Sequence, residues 1–300
     1  MKPKQAPRPP QHPKANRNET KSAQGRNVRL TGGAKKDGQG LRERPRPPIN
    51  VMLYGQHPVV EALRNPARRA KTLWLDQAKQ DDLTRQFEPI LAAHPNPPAV
   101  QWTSRDYIAQ TAQGEATQSV PHQGVMLKCA PLKGMDPDTL SDLAPGNLIM
   151  ALDQVNDPHN VGAIIRSAAA FKAAALLTTD RHTPYESGLL AKTASGGLER
   201  LPWCRAGNLG DTLEELKKAG FFVVGLDGNT DNDFSQLPTL TNERVVLVMG
   251  AEGKGLRERT KGLLDFHIRL PTDPSFPHLN VSNAAAIALY DLSARLNVSA

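Results

Sequence analysis

The sequence has few cysteines, few aromatic residues and no long apolar run. Only Cys129 and Cys204 occur among 300 residues, which excludes a disulfide framework and a cysteine-rich zinc module. Mean hydropathy is −0.47, and no apolar stretch approaches the roughly 20 residues that a bilayer span requires. These absences predict a cytoplasmic protein without a transmembrane helix.

Several catalytic motifs are also missing. The sequence has no P-loop, no G-x-G-x-x-G after a strand, no H-E-x-x-H and no G-x-S-x-G. Nucleotide hydrolysis, hydride transfer, metal-dependent hydrolysis and serine acyl transfer therefore have no basis in the sequence. We expect no metal site.

Positive charge is concentrated at the amino terminus. Residues 1–50 carry thirteen Lys or Arg against three acidic residues, a net of +10, whereas the remaining residues carry 24 basic against 27 acidic, a net of −3. The segment has eight prolines and no aromatic residue, so it has too little apolar surface to offset chain entropy. We interpret it as a disordered basic arm that contacts nucleic-acid phosphates, with a solubilising tail as the alternative.

A small domain and a linker are predicted next. Residues 51–130 alternate short apolar runs with amphipathic segments, which indicates a compact α/β unit. Residues 131–146 contain prolines, glycines and acidic residues and are predicted to be a linker.

Residues 147–300 predict an α/β catalytic domain. Leu148–Leu152 is a continuous apolar run, typical of a parallel strand covered on both faces. Asn160 is a candidate N-cap for the helix that follows, and a second helix is predicted from an Asp211 cap to Ala219. Further strands are predicted at 175–178, 221–226 and 245–249.

Open α/β sheets bind ligands at the loops that follow the strands, and three loops there are rich in polar or glycine residues. They are 160–166, 250–255 and 270–280. Taken singly, each loop has a plain structural interpretation, such as a helix cap, a strand-to-helix turn or a solvated helix residue.

Together, the segments Asn160–Arg166, Val248–Gly255 and Leu279–Ala284 resemble the three ordered motifs of the SpoU/TrmH family of RNA ribose methyltransferases, part of the SPOUT superfamily. Lys192–Pro202 is similar to the family segment between the first two motifs. The first domain, with Gly55–Leu63, is similar to the substrate-binding domain of members that modify large-subunit ribosomal RNA.

The resemblance implies a trefoil-knotted α/β domain, preceded by a small RNA-binding domain, that acts as a homodimer. It implies S-adenosyl-L-methionine as the cofactor, contacted by Gly250, Leu270 and Leu279. The implied reaction is methylation of a ribose 2′-hydroxyl, of a guanosine in 23S ribosomal RNA, with neither DNA nor a membrane as partner. Transfer-RNA methylation and a non-catalytic RNA-binding or ribosome-assembly role remain as alternatives.

The resemblance also assigns site residues. A guanidinium is a poor base, so we expect Arg166 to hold the adjacent phosphate and stabilise the developing alkoxide, with Asn160, Glu252 and Asn280 orienting the hydroxyl and the loops. His278 stands where the family usually has Ser. His278 and Ser282 are candidate substrate-binding residues.

Removing residues 1–50 should weaken RNA binding and flatten its salt dependence without unfolding the protein, because this segment carries the +10 charge and few core-forming residues. The measurement is the slope of log K against log salt for both forms. An unchanged slope would show that the arm does not contact phosphate.

Overall fold

The structure, a computed structural model, describes residues 47–113, 120–276 and 278–296. The basic arm predicted for residues 1–50 lies outside these ranges except for residues 47–50. Within the described ranges no helix is both long and apolar enough to cross a bilayer.

The first part of the chain forms a mixed four-stranded sheet with three helices. Its elements are β1 (Val51–Tyr54), α1 (Gln56–Arg64), β2 (Ala70–Asp76), α2 (Gln80–Ala93), β3 (Ala99–Thr103), α3 (Arg105–Gln113) and β4 (Val125–Cys129). The strand order is β1-β4-β2-β3, with β4 antiparallel to both of its neighbours and β3 parallel to β2. β4 thus returns the chain between the first two strands before it leaves the sheet.

The second part forms a six-stranded sheet whose strand pairs are all parallel, in the order β10-β8-β9-β5-β6-β7. Its elements are β5 (Leu148–Asp153), α4 (Pro158–Ala170), β6 (Ala175–Thr179), α5 (Gly188–Ala194), β7 (Trp203–Ala206), α6 (Leu209–Lys218), β8 (Phe221–Leu226), β9 (Arg244–Gly250), α7 (Glu258–Lys261), β10 (Phe266–Ile268) and α8 (Val281–Arg295). Every residue of β5 is buried. The predicted α/β class is confirmed.

Two predicted helix starts are wrong. Asp157, not Asn160, caps α4, because its carboxylate accepts from the His159 N–H at 3.1 Å. Asn208, not Asp211, caps α6 by accepting from the Gly210 N–H at 3.0 Å. In both cases an Asn or Asp a few residues upstream offers the same acceptor. The first correction leaves the side chain of Asn160 available for other contacts.

The two sheets share one hydrophobic core. Buried residues of β1, α1 and β2 belong to the same cluster as buried residues of β5, α4 and α8. α5 packs on β1 so closely that a Cβ on Gly188 would lie 2.3 Å from the carbonyl oxygen of Met52. Residues 131–146, predicted to be a linker, include a 3₁₀ helix (Pro137–Asp142) that buries Leu140 completely.

Arg68 joins the two parts electrostatically. Its side chain is 0% exposed, and its guanidinium pairs with Glu186, just before α5, and with Glu199, just after it. The guanidinium also donates to the carbonyl of Ala130 at 3.0 Å, and the second oxygen of Glu186 accepts from the Leu132 N–H at 2.9 Å. The Arg68 Nε also donates to the Glu199 Oε2 at 3.2 Å, so every polar atom of these three side chains is hydrogen-bonded.

Burial opposes the charged forms of Arg68 and Glu186. It disfavours the charged Arg68, but the nearby carboxylates outweigh it and the pKa of the guanidinium is raised. Burial also raises the pKa of Glu186, although Arg68 opposes the shift. The cluster is thus stable only while all of its members are present.

Arg68→Ala should lower the free energy of unfolding by about 3–5 kcal/mol, because it leaves two carboxylates buried without their partner. Arg85→Ala is the control, since the Arg85–Asp82 pair is 77% and 78% exposed and should change stability by less than about 0.5 kcal/mol. Urea unfolding of both variants measures these changes in the free energy of unfolding. A loss of less than about 1 kcal/mol of unfolding free energy in Arg68→Ala would mean that the contact between the two parts of the chain does not depend on the ion pairs.

Candidate active site

Three residues of the sequence motifs meet at the carboxyl edge of the parallel sheet. Asn160 lies in the first turn of α4, Glu252 follows β9, and Asn280 precedes α8. The Asn280 Nδ2 donates to the Asn160 Oδ1 at 3.0 Å, and the Asn160 Nδ2 donates to the Glu252 Oε2 at 3.4 Å. We call these three residues the motif triad. The structure thus brings together one residue from each predicted motif.

Asn280 is held in place by the helix that it caps. Its Oδ1 accepts from the Ser282 N–H at 2.9 Å and from the Ser282 hydroxyl at 2.5 Å. This N-cap directs the amide nitrogen of Asn280 toward Asn160. Ser282, a candidate substrate-binding residue, therefore has its hydroxyl engaged in positioning Asn280.

The loop after β9 folds back on the end of its own strand. A Cβ on Gly250 would lie 2.2 Å from the carbonyl carbon of Gly255 and 2.4 Å from the nitrogen of Leu256. The Gly255 N–H donates to the Ala251 carbonyl at 2.8 Å, which closes the turn that carries Glu252. Only glycine fits at position 250, because any side chain there would displace the loop.

A buried carboxylate fixes the far end of this loop. Asp153, the last residue of β5, is 0% exposed. Its Oδ1 accepts from the Arg257 Nε at 2.6 Å, and its Oδ2 accepts from the Thr260 hydroxyl at 2.6 Å and the Arg257 N–H at 3.1 Å. Sequence reasoning missed Asp153. The available signal was a carboxylate that ends a strand of otherwise apolar residues.

A polar cleft opens beside the motif triad. It has a volume of about 390 Å³ and is lined by the loop after β5, by Asn160, by Glu252 and Lys254, and by His182 from the loop after β6. The cleft lies at the ends of the central strands, where open α/β sheets bind ligands. Its position and its polar lining favour a charged or hydrogen-bonding ligand.

Arg166 lies apart from the motif triad. It is exposed on α4 and has no ion-pair partner among the residues that the structure describes. Six residues of helix separate it from Asn160, which corresponds to about 9 Å along the axis and about 240° around it. Within one chain, therefore, Arg166 and Asn160 face different sides of α4.

The remaining candidates lie on the segment before α8. Leu270 is partly buried against the core, whereas Leu279 is 41% exposed. His278 is exposed. Leu279 and His278 immediately precede Asn280 of the motif triad in the chain.

The two cysteines can be set aside as nucleophiles. Both thiols are free and buried. Burial raises the pKa of Cys129 and of Cys204 to about 12, so neither forms the reactive thiolate near neutral pH.

Comparison with known proteins defines the class of protein. Residues 147–290 match the SpoU rRNA Methylase family, and residues 52–135 match the model for RNA 2′-O ribose methyltransferase substrate binding. The chain belongs to the SpoU rRNA methylase family.

Curated relatives align along most of their length. The 23S rRNA (guanosine-2′-O-)-methyltransferase RlmB of Pseudomonas aeruginosa is 34% identical over 244 residues, 80% of this chain and 94% of the relative. The enzyme of the same name from Pasteurella multocida is 33% identical over 245 residues, 80% of this chain and 96% of the relative.

Solved structures share the fold. The SpoU methyltransferase AviRb of Streptomyces viridochromogenes, in complex with AdoMet, aligns with a TM-score of 0.67 at 23% identity, over 82% of this chain and 90% of that one. An AdoMet-bound rRNA methyltransferase from Sinorhizobium meliloti aligns with a TM-score of 0.66 at 23% identity, over 83% and 88%.

Asp153→Asn should loosen the loop between Gly250 and Thr260, because it weakens hydrogen bonds that now end on a buried charge. Charge-assisted bonds of this kind contribute about 1.5–3 kcal/mol each. Tryptic cleavage after Lys254 or Arg257 should therefore be about tenfold faster or more. Asp138→Asn, at an exposed position, is the control. Equal cleavage rates in both variants would show that Asp153 does not hold the loop.

Proposed function

We propose that the protein transfers a methyl group from S-adenosyl-L-methionine to a ribose 2′-hydroxyl of RNA, at a guanosine of 23S ribosomal RNA. The observation that carries this proposal is the motif triad, in which all three family motifs meet beside one cleft. Similarity to RlmB enzymes over both parts of the chain supports the substrate. Both of these relatives are named for 23S rRNA, which favours ribosomal RNA over transfer RNA.

The residues around Gly250 suit a cofactor held by backbone groups. The loop reverses tightly there, where a Cβ would fill the space beside Gly255. We assign the cofactor contacts to Gly250, Leu270 and Leu279. When bound, the cofactor supplies an electrophilic methyl group on a sulfonium.

The residues of this chain must then position the 2′-hydroxyl so that its oxygen takes the methyl group while its proton passes to solvent water. In our proposal, Arg166 holds the phosphate next to the target ribose and stabilises the developing alkoxide. Its guanidinium stays protonated and is not the base. Asn160, Glu252 and Asn280 orient the hydroxyl, and their mutual hydrogen bonds fix their directions before RNA binds.

We assign His278 to RNA contact, because it is exposed and lies two residues before Asn280 of the motif triad. Ser282 acts on the substrate indirectly, through the orientation of Asn280. This division explains how a His can stand where the family usually has Ser, since the cap that holds Asn280 does not involve residue 278.

We propose that the active form is a homodimer with the sites near the subunit interface. Large apolar residues are exposed on α8 and just before it: Phe276 74%, Leu279 41%, Ile287 47% and Tyr290 65%. Ile287 and Tyr290 are three residues apart on α8 and so share one of its faces, and an exposed apolar face favours contact with another protein surface. A second copy would also bring an Arg166 to a site that lacks one on its own side of α4.

Three further features belong to the proposal. We expect a trefoil knot in residues 147–300, which is consistent with a chain that leaves the edge strand β10 and returns to pack α8 against α4 and β9. We expect the basic arm of residues 1–50 to be disordered and to add RNA affinity through its charge.

The free, buried thiols suit the cytoplasm, a reducing compartment.

Arg166→Ala should lower kcat about 100- to 1,000-fold, the effect of removing one positioned charge-stabilising donor. Its affinity for S-adenosylhomocysteine should stay within a few-fold, because Arg166 is assigned to RNA. The measurements are methyl transfer to unmodified 23S ribosomal RNA and to transfer RNA, and calorimetry with S-adenosylhomocysteine. Arg85→Ala, on the exposed face of α2, is the matched control.

The outcomes separate the alternatives. Loss of S-adenosylhomocysteine binding in Arg166→Ala would overturn its assignment to RNA. Methylation by the unaltered protein of transfer RNA alone would replace the proposed substrate. Cofactor binding without methylation of either RNA would support a non-catalytic RNA-binding or ribosome-assembly role.

A further inference from the structure

A second cavity shares the loop after β6 with the polar cleft. It has a volume of about 600 Å³ and lies between the two parts of the chain, with walls from the turn after α1, from residues 131–134, from the loop after β6 and from β7. None of its lining residues belongs to the motif triad or to the cofactor contacts assigned above. We call it the joint pocket.

Two aromatic side chains and one arginine form a wall of the joint pocket. The guanidinium carbon of Arg205 stands 4.3 Å from the ring centre of Tyr185 and 5.1 Å from that of Trp203. Both aromatic residues are only half-buried and line the pocket. Aromatic rings combined with arginine are the side chains on which unpaired RNA bases stack.

This wall is fixed before any ligand binds. The Arg205 Nε donates to the Asp180 Oδ1 at 3.1 Å, and its terminal nitrogens donate to the carbonyls of Pro184 and Thr183, each at 3.0 Å. The Trp203 Nε1 donates to the Thr178 hydroxyl at 2.8 Å. A rigid wall reduces the ordering cost of binding.

The charges around the pocket are compatible with RNA. Its three carboxylates are paired within the fold, Asp180 with Arg205, and Glu186 and Glu199 with the buried Arg68. Lys133 is exposed on the rim and has no ion-pair partner among the described residues. Arg200, also on the rim, is 69% exposed although it pairs with Glu61. Phosphate oxygens can therefore reach cationic groups without meeting an unpaired carboxylate.

The joint pocket is close to the catalytic cleft. His182 lines the cleft and Tyr185 lines the pocket, and both belong to the same loop. Three residues of extended chain span at most about 10 Å. A nucleotide next to the target in an unpaired RNA segment could therefore reach the pocket while the target ribose lies in the cleft.

We propose that the joint pocket binds an unpaired base of the RNA substrate, adjacent to the methylated nucleotide, by stacking on Tyr185 and Trp203, with Lys133 contacting its phosphate. This assignment rests on the proposed function. It gives the joint between the two parts of the chain a role in substrate selection.

The test uses the full chain and 23S ribosomal RNA. Tyr185→Leu keeps apolar volume but removes the ring, so KM for RNA should rise about tenfold, in the range found for single base–aromatic stacks. The kcat should change less than about threefold, and affinity for S-adenosylhomocysteine should not change. Tyr185→Phe keeps the ring and should restore the KM of the unaltered protein. Tyr107→Leu, at a 45% exposed position outside the pocket, is the control.

A second variant tests the pocket without altering its aromatic wall. Lys133→Ala should raise the KM for RNA a few-fold. It should also lower the number of counterions released on binding, read from the slope of log K against log salt, by about one. Photo-crosslinking with 4-thiouridine-substituted 23S ribosomal RNA should label Tyr185 or Trp203 in the unaltered protein.

The proposal is overturned if the KM for RNA is unchanged in Tyr185→Leu. It is also overturned if Tyr185→Leu and Tyr185→Phe raise KM equally, or if crosslinks are found only outside the pocket. If the unaltered protein methylates no RNA, the proposed function fails instead. Full activity of the unaltered protein with unchanged KM in Tyr185→Leu would overturn the pocket alone.

Discussion

The carboxylate of Asp153 is the contact on which the architecture of the site rests. It is wholly buried at the end of the central strand β5, and it engages both the backbone and the side chain of Arg257 and the hydroxyl of Thr260. A buried carboxylate in this position is stable only because its oxygens are hydrogen-bonded. These contacts hold the end of the loop that begins at Gly250 and carries Glu252. They therefore help to fix the position of Glu252 within the motif triad.

A second buried charge, Arg68, holds the substrate-binding part of the chain against the catalytic part. Arg68 belongs to the part that matches RNA-substrate binding, and its two carboxylate partners flank α5 in the catalytic part. Because removing one partner of such a cluster is costly, the two parts behave as one body. The joint pocket lies at this junction. RNA bound there would meet the cleft at a fixed distance, which is how positioning contributes to rate.

Much of the fold and of the motif triad could be predicted from the sequence. Long apolar runs predicted the central strands. The resemblance to the family assigned Asn160, Glu252, Asn280 and Arg166 to one site, and the structure joins the first three and leaves Arg166 apart. The short strands β7 and β10 were missed, because edge strands of four and three residues leave little periodic pattern. The roles of Asp153 and Arg68 were also missed, since their partners lie 104 and 131 positions away in the chain. No local pattern encodes such pairings.

The loop between Gly250 and Thr260 is held by the chain's own residues before any cofactor binds. Hydrogen exchange at the Arg257 amide tests this directly, because that N–H donates to the buried Asp153 carboxylate at 3.1 Å. In the ligand-free protein the amide should exchange at least about 100-fold more slowly than in an unstructured chain. Addition of S-adenosylhomocysteine should add little to this protection. Exchange near the unstructured rate, slowed only when S-adenosylhomocysteine binds, would show instead that the cofactor orders this loop.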